Sequence, residues 1–131
     1  MERVLVVEDD TPTAKAVCQD LRERGFAVRR TRGGKRAIAM SRWFCPMVLL
    51  CDLVLPDGMR GDEIACELRK SLPDLGVVLM TGYPADIAEA AARTRIGFAG
   101  PQVILMKPVS LHEIARAVEG AQMRRTLSAI A

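Results

Sequence analysis

Five residues hold most of the chemical potential of this chain: Glu8, Asp9, Asp52, Thr81 and Lys107. Each stands where an apolar run ends. Val4–Val7 leads into Glu8, Asp9 and Asp10; Met47–Cys51 leads into Asp52; Val77–Met80 leads into Thr81; Val103–Met106 leads into Lys107. Nearly unbroken apolar runs of this length read as strands buried on both faces of a parallel sheet. Ligands of an open α/β sheet bind outside the carboxyl ends of its strands. Two acidic ends, a hydroxyl and an amine would therefore ring one pocket.

Three carboxylates at one rim repel each other and need a cation. Oxygen ligands that leave water positions open suit Mg2+, which binds through one or two carboxylates plus phosphate and water. Lys107 supplies a point charge for an anion, and Thr81 a hydroxyl for one of its oxygens. The residue types thus point to a magnesium-assisted phosphoryl site with Asp52 as nucleophile. Taken singly, each feature is ordinary. Paired acids after a strand often just sit at a helix N-terminus, favoured by its dipole. A single Asp after a strand is usually a turn or cap residue. Only the conjunction, at four strand ends in one chain, is specific.

The elements that must position these groups follow in order. A strand over Arg3–Val7 precedes a helix capped by Thr11, with Pro12 at its first position. Ala14, Val17, Cys18 and Leu21 give that helix one apolar face, and Gly25 ends it. Phe26–Thr31 carries arginines and reads as an edge strand. After Gly33-Gly34 a helix over Lys35–Trp43 turns Ala37, Met40 and Phe44 inward, and Pro46 stops it. Met47–Leu53 is the third strand, and Pro56, Gly58 and Gly61 break the chain after it. A helix over Asp62–Leu72 packs through Ile64, Leu68 and Leu72. Gly76–Met80 is the fourth strand. Ala85–Arg95 is alanine-rich, with a weak inward face of Ile87, Ala90 and Ala91, and should be the least firmly held helix. Gly97–Pro101 is a turn and Gln102–Met106 the last strand. Ser110 and Glu113 form a capping box for a helix that buries Leu111, Ile114, Ala115 and Val118. The tail from Gln122 is expected to fray. Alternation of five strands with five helices argues for a parallel sheet with helices on both faces. Residues 1–121 make one domain, and 122–131 the end of the last helix and a tail.

Composition narrows the function classes. The 131 residues are half apolar and about a quarter charged, as expected of one globular domain. No apolar run approaches the roughly 18–20 residues of a membrane span, and no secretory signal opens the chain, so a cytoplasmic protein is expected. Cys18, Cys45, Cys51 and Cys66 form no Cys-x-x-Cys pair and read as free, mostly buried thiols rather than a zinc site. Arg29, Arg30, Arg32, Lys35 and Arg36 form a basic cluster, with Arg124 and Arg125 a smaller one. No nucleic-acid-binding motif accompanies them, so they read as solvated surface and nucleic acid is not an expected partner.

With these residues in view, the sequence resembles the response-regulator receiver domains of two-component signalling over nearly its whole length. The carrying motifs are Glu8-Asp9-Asp10 after the first strand, Asp52 with Pro56 after it, Met80-Thr81-Gly82 and Lys107-Pro108. The resemblance implies a flavodoxin-like doubly wound α/β fold, strand order 2-1-3-4-5. It implies that Asp52 accepts a phosphoryl group from a histidine kinase or histidine phosphotransfer protein. It implies that Glu8, Asp9, Asp52 and the backbone carbonyl of Val54 hold Mg2+. Thr81 and Lys107 would bind the phosphoryl oxygens and carry the switch. Such a chain is not an enzyme beyond assisting its own phosphorylation and slow dephosphorylation. Phosphorylation would remodel the face within residues 85–120, which would then bind a partner or a second copy.

The chain departs from the family pattern in three ways. Ile104 stands where the family has Tyr or Phe, so the usual aromatic rotamer switch is missing; Tyr83 is the nearest aromatic candidate. The Pro56–Gly61 loop is one residue longer than the common form, as in receivers attached to hybrid histidine kinases. Third, no output domain follows, so the chain is expected to be either a stand-alone receiver or a receiver cut from a larger protein. A flavodoxin-like cofactor binder would need a phosphate loop poor in acids, unlike Glu8-Asp9-Asp10. A dehalogenase-like phosphatase would carry an Asp at position 54, where this chain has Val. The alternative that Ile104 keeps open is a receiver-like protein-binding module that is never phosphorylated. His112, in the first turn of the last helix, should be exposed and is not placed like a phosphodonor.

Overall fold

The computed structural model describes residues 2–95 and 103–130, with side chains except those of 93–95 and 124–130. In chain order the elements are β1 (Arg3–Val7), α1 (Thr11–Glu23), β2 (Ala27–Thr31), α2 (Gly34–Phe44), β3 (Val48–Asp52), α3 (Gly61–Arg69), β4 (Gly76–Thr81), α4 (Pro84–Arg95), β5 (Val103–Met106) and α5 (Leu111–Ile130). All strand pairs are parallel, in the order β2-β1-β3-β4-β5, which is the flavodoxin-like arrangement. The expected edge strand, β2, is at an edge. The turn expected over 97–101 lies outside the described residues.

The period of two along each strand divides the apolar side chains between two cores. Val4, Val6, Val48, Leu50, Val78 and Met80 pack with Val17, Leu21, Ile114 and Val118, so α1 and α5 cover one face. Leu5, Val7, Leu49, Cys51, Val77 and Leu79 pack with Ala37, Phe44, Ile64, Leu68 and Ala90, so α2, α3 and α4 cover the other. All five residues of β3 are buried. That is why its sequence reads as a continuous apolar run until Asp52. In α4 only Ala90 is fully buried among the described residues, which fits its alanine-rich composition.

Several local expectations need correction. The cap of α1 is Asp10, not Thr11: the Asp10 carboxylate accepts the Thr13 N–H at 3.1 Å, and Ala14 N–H donates to the Asp10 carbonyl at 2.9 Å. The Thr13 hydroxyl also donates to Asp10, and an aspartate is the stronger acceptor for this role. These bonds with Thr13 hold the Asp10 carboxyl below its ordinary range. Leu111 is 39% exposed, because the buried stripe of α5 is set by Ile114, Ala115, Val118 and Ala121. α5 also continues through Ile130, across the stretch expected to fray. Cys18 and Cys51 are buried, but Cys45 is exposed and Cys66 half-buried. Burial pushes the Cys51 thiol far up from its ordinary value.

The long loop after β3 has a structural role. Gly33 gives α2 no side-chain cap. Asp57 supplies one from the loop: its Oδ2 accepts from Gly34 N–H at 2.8 Å and Lys35 N–H at 3.3 Å, while Oδ1 accepts from Met59 N–H at 3.2 Å. A side chain on Gly33 would strike that carboxylate, since an added Cβ would lie 2.8 Å from Oδ2. Desolvation opposes ionisation of Asp57, but the bonds from Met59, Lys35 and Gly34 outweigh it and hold its carboxyl below the usual range. A depressed acid stabilises the fold fully above its unfolded pKa, and that contribution is lost as pH falls through the folded value. Asp57→Ala should therefore destabilise the protein at neutral pH by about 1 kcal/mol in urea denaturation, by loss of a helix cap. The deficit should shrink in acid, below the unfolded carboxyl value of roughly 4.

Candidate functional site

The parallel register brings the strand ends to one rim. Asp52 pairs with Met80, so Thr81 lies one residue beyond the level of Asp52 on the neighbouring strand. Thr81 pairs with Met106, and Lys107 N–H donates to the Thr81 carbonyl at 2.7 Å, which carries Lys107 to the same rim. Glu8 follows β1 directly, and its N–H donates to the Thr31 carbonyl at 3.1 Å.

The charged groups converge there. Lys107 Nζ lies 2.8 Å from Asp52 Oδ1 and 3.4 Å from Glu8 Oε1. The lysine spans 99 residues of sequence to reach Glu8. Glu8, Asp9 and Asp52 each offer a carboxylate oxygen, all within 4.8 Å of one another. Glu8 and Asp52 are buried, at 1% and 5% exposure. Burial pushes the Asp52 carboxyl up from its ordinary value, and the ammonium of Lys107 beside it only partly offsets this.

One lysine does not satisfy this cluster. Glu8 Oε2 is buried without a hydrogen-bond donor. Asp52 Oδ1 meets Lys107 as an ion pair, off the angle of an aligned hydrogen bond. Buried carboxylate oxygens lacking donors are costly, and a hard divalent cation with oxygen ligands is the group that would satisfy them. The residues present therefore fit a metal ion.

Other expected residues take less direct positions. The Thr81 hydroxyl is buried and donates to Asp86 Oδ2 at 3.2 Å, while accepting the Tyr83 N–H at 3.2 Å. Val54 lies two residues past Asp52 and forms an isolated antiparallel bridge with Arg60. Ile104 packs against the α2–α4 core as a partly buried aliphatic. Tyr83 is 69% exposed, and His112 is exposed as expected.

Three positioning contacts were not anticipated from sequence. Arg30, read as solvated surface, instead turns inward: its Nε donates to the Glu8 carbonyl at 3.0 Å and its Nη2 to the Asp9 carbonyl at 3.3 Å. It thereby braces the backbone that presents both acids. The alternation of β2 was the available signal, since residue 30 shares a face with buried Val28. Gly61 lets the loop close over Asp52: its N–H donates to the Leu53 carbonyl at 2.8 Å, and a Cβ there would come within 2.6 Å of the Asp52 carbonyl oxygen. Asp86 holds Thr81, and no sequence spacing announces it.

With this geometry in hand, comparison with known proteins identifies the class. Residues 4–119 match the response regulator receiver domain model, and the chain belongs to that family. It is 32% identical over 115 residues to the photosynthetic apparatus regulatory protein RegA of Cereibacter sphaeroides, covering 88% of this chain and 60% of that protein. It is 35% identical over 123 residues to the probable transcriptional regulatory protein TcrX of Mycobacterium tuberculosis, covering 94% of this chain and 50% of TcrX. The chain thus spans about half to three-fifths of these relatives. Its fold matches a receiver domain protein from Methanospirillum hungatei with a TM-score of 0.86 at 23% identity, covering 98% of both chains. Receivers pair with histidine kinases in two-component systems and are signalling modules rather than true enzymes. The acidic pocket of Glu8, Asp9 and Asp52 is typical of their phosphoacceptor and divalent-metal site. No helix among the described residues is long and apolar enough to cross a membrane.

The electrostatics make a direct prediction. Folding raises the Asp52 pKa, so its contribution is most favourable below the unfolded carboxyl value and is lost as pH rises through the folded value. In metal-free buffer at neutral pH, Asp52→Asn should be more stable than wild type by on the order of 1 kcal/mol. Thermal denaturation should show that gap closing as pH falls below about 4. It should also narrow when magnesium is added, because the ion stabilises the wild type more.

Proposed function

We propose that Asp52 is the phosphoacceptor of a two-component phosphorelay. The donor is the phosphohistidine of a histidine kinase or of a histidine phosphotransfer protein. The observation that carries this reading is the 2.8 Å ion pair between Asp52 and Lys107 beside two further carboxylates. An Asp52 oxygen attacks phosphorus, the phosphorus–nitrogen bond of the donor breaks, and the electron pair leaves with the imidazole. Glu8, Asp9, Asp52 and the Val54 carbonyl would hold Mg2+, which when bound neutralises charge on the phosphoryl oxygens. Lys107 stays at the rim and takes a phosphoryl oxygen in place of the Asp52 oxygen it now meets. Thr81 donates its hydroxyl to another. Arg30 keeps the Glu8–Asp9 backbone fixed, so positioning costs little at the moment of transfer.

Phosphorylation then acts on the α4–β5–α5 face, within residues 85–120, which binds a partner or a second copy of this chain. The weak apolar anchoring of α4 supports this element as the mobile part. A second reading is a binding module that is never phosphorylated; the packing of Ile104 as a plain core aliphatic favours it to that extent.

A small-molecule phosphodonor with magnesium decides between them. Intact-protein mass spectrometry should show addition of one phosphoryl group to wild type, and none to Asp52→Asn or in excess chelator. Wild type that gains no mass with donor and magnesium refutes the phosphoacceptor reading. Lys107→Met should slow labelling by roughly tenfold or more, since one charge-assisted contact to the transferring group is removed.

A further inference from the structure

We infer that Asp86 is a positioning residue for Thr81: it holds the threonine hydroxyl in the resting state and must give it up when Asp52 carries a phosphoryl group. This rests on the phosphoacceptor reading and adds a regulatory residue to it.

A threonine hydroxyl has one proton to donate. In this structure that proton goes to Asp86 Oδ2, at 3.2 Å, and the lone-pair side accepts the Tyr83 N–H. Thr81 is 4% exposed, so its hydroxyl has little access to water as a substitute partner. Donation to a phosphoryl oxygen on Asp52 and donation to Asp86 are therefore exclusive. The two acceptors compete for one proton.

The competition bears on α4 because, among its described residues, only Ala90 is fully buried. Asp86 lies in its first turn, and its N–H donates to the Tyr83 carbonyl at 3.0 Å. One turn further on, Glu89 meets Arg60 Nη1 at 3.5 Å, a long and half-exposed pair. Arg60 in turn bridges Val54 at the mouth of the site. Asp86 and Glu89, three residues apart, share one side of the helix and face the β3 and β4 loops. Loss of the Thr81 bond leaves the Asp86 carboxylate without that partner and loosens the first turn of α4 from the end of β4. The Thr81–Asp86 bond thus links the rim of the site directly to the first turn of α4.

The test uses beryllofluoride with magnesium as the phosphoryl mimic, measured by titration calorimetry on the full chain. Asp86→Ala should bind the mimic more tightly than wild type by about threefold to tenfold, the value of one released charge-assisted hydrogen bond. In a Thr81→Ala background the same substitution should change affinity by less than about twofold, because the shared proton is gone. Asp86→Asn, nearly the same shape and still an acceptor, guards against a folding artefact and should fall between wild type and Asp86→Ala. Equal or weaker binding by Asp86→Ala overturns the inference. So does an equal gain with and without Thr81, which would mean simple charge repulsion. Wild type that binds no beryllofluoride overturns the phosphoacceptor reading as well; wild-type binding with an unresponsive Asp86→Ala overturns the latch alone.

Discussion

Two acids and a lysine, brought together from three strands, set the terms for the rest of this molecule. Glu8 and Asp52 are almost without solvent contact, and one amine, Lys107, stands between them. Buried like charges are tolerated only when opposite charge is near. The sheet order makes that possible: β1 and β4 flank β3, and β5 follows β4, so a lysine after β5 reaches back across the rim. The same crowding leaves carboxylate oxygens short of donors. A cluster in that state fits a divalent cation, as is typical of receiver domains.

Around that cluster the fold spends polar contacts on backbone position. Arg30 fixes the carbonyls of Glu8 and Asp9. Asp57 ties the loop after β3 to the start of α2. Gly61 permits that loop to lie against the Asp52 carbonyl, where any side chain would intrude. Each contact restrains main chain rather than a reacting side chain. The acids can therefore change partners while their supports stay still. α4 is built differently: its described apolar anchor is small, and polar contacts from Asp86 and Glu89 supplement it. β1 and β3 are almost fully buried, whereas α4 buries one described residue, Ala90, completely.

The departures from the family pattern gain meaning in this setting. Ile104 is no failed switch residue in packing terms; it fills the margin of the α2–α4 core. Asp57, in the loop after β3, serves as the cap of α2. Tyr83 contributes its backbone N–H to Thr81 while its ring faces solvent.

The fold and the meeting of Glu8, Asp9, Asp52 and Lys107 at one rim were legible in the sequence, because both follow from one-dimensional signals. Apolar runs with period two or none mark strands, runs at helical spacing mark helices, and the strand ends carry Glu8, Asp52, Thr81 and Lys107 by adjacency alone. Tertiary structure alone decided how side chains share partners. Whether Arg30 faces water or the Glu8 carbonyl depends on the twist and pairing of an edge strand. Whether Asp10 or Thr11 caps α1 depends on one backbone turn. That Thr81 gives its proton to Asp86, and that Asp57 caps a helix 22 residues away, depend on loops whose paths no local pattern specifies. Burial patterns are repeated many times along a chain and are robust to local error; a hydrogen bond is one short, directional contact, and it exists only once every element around it has been placed.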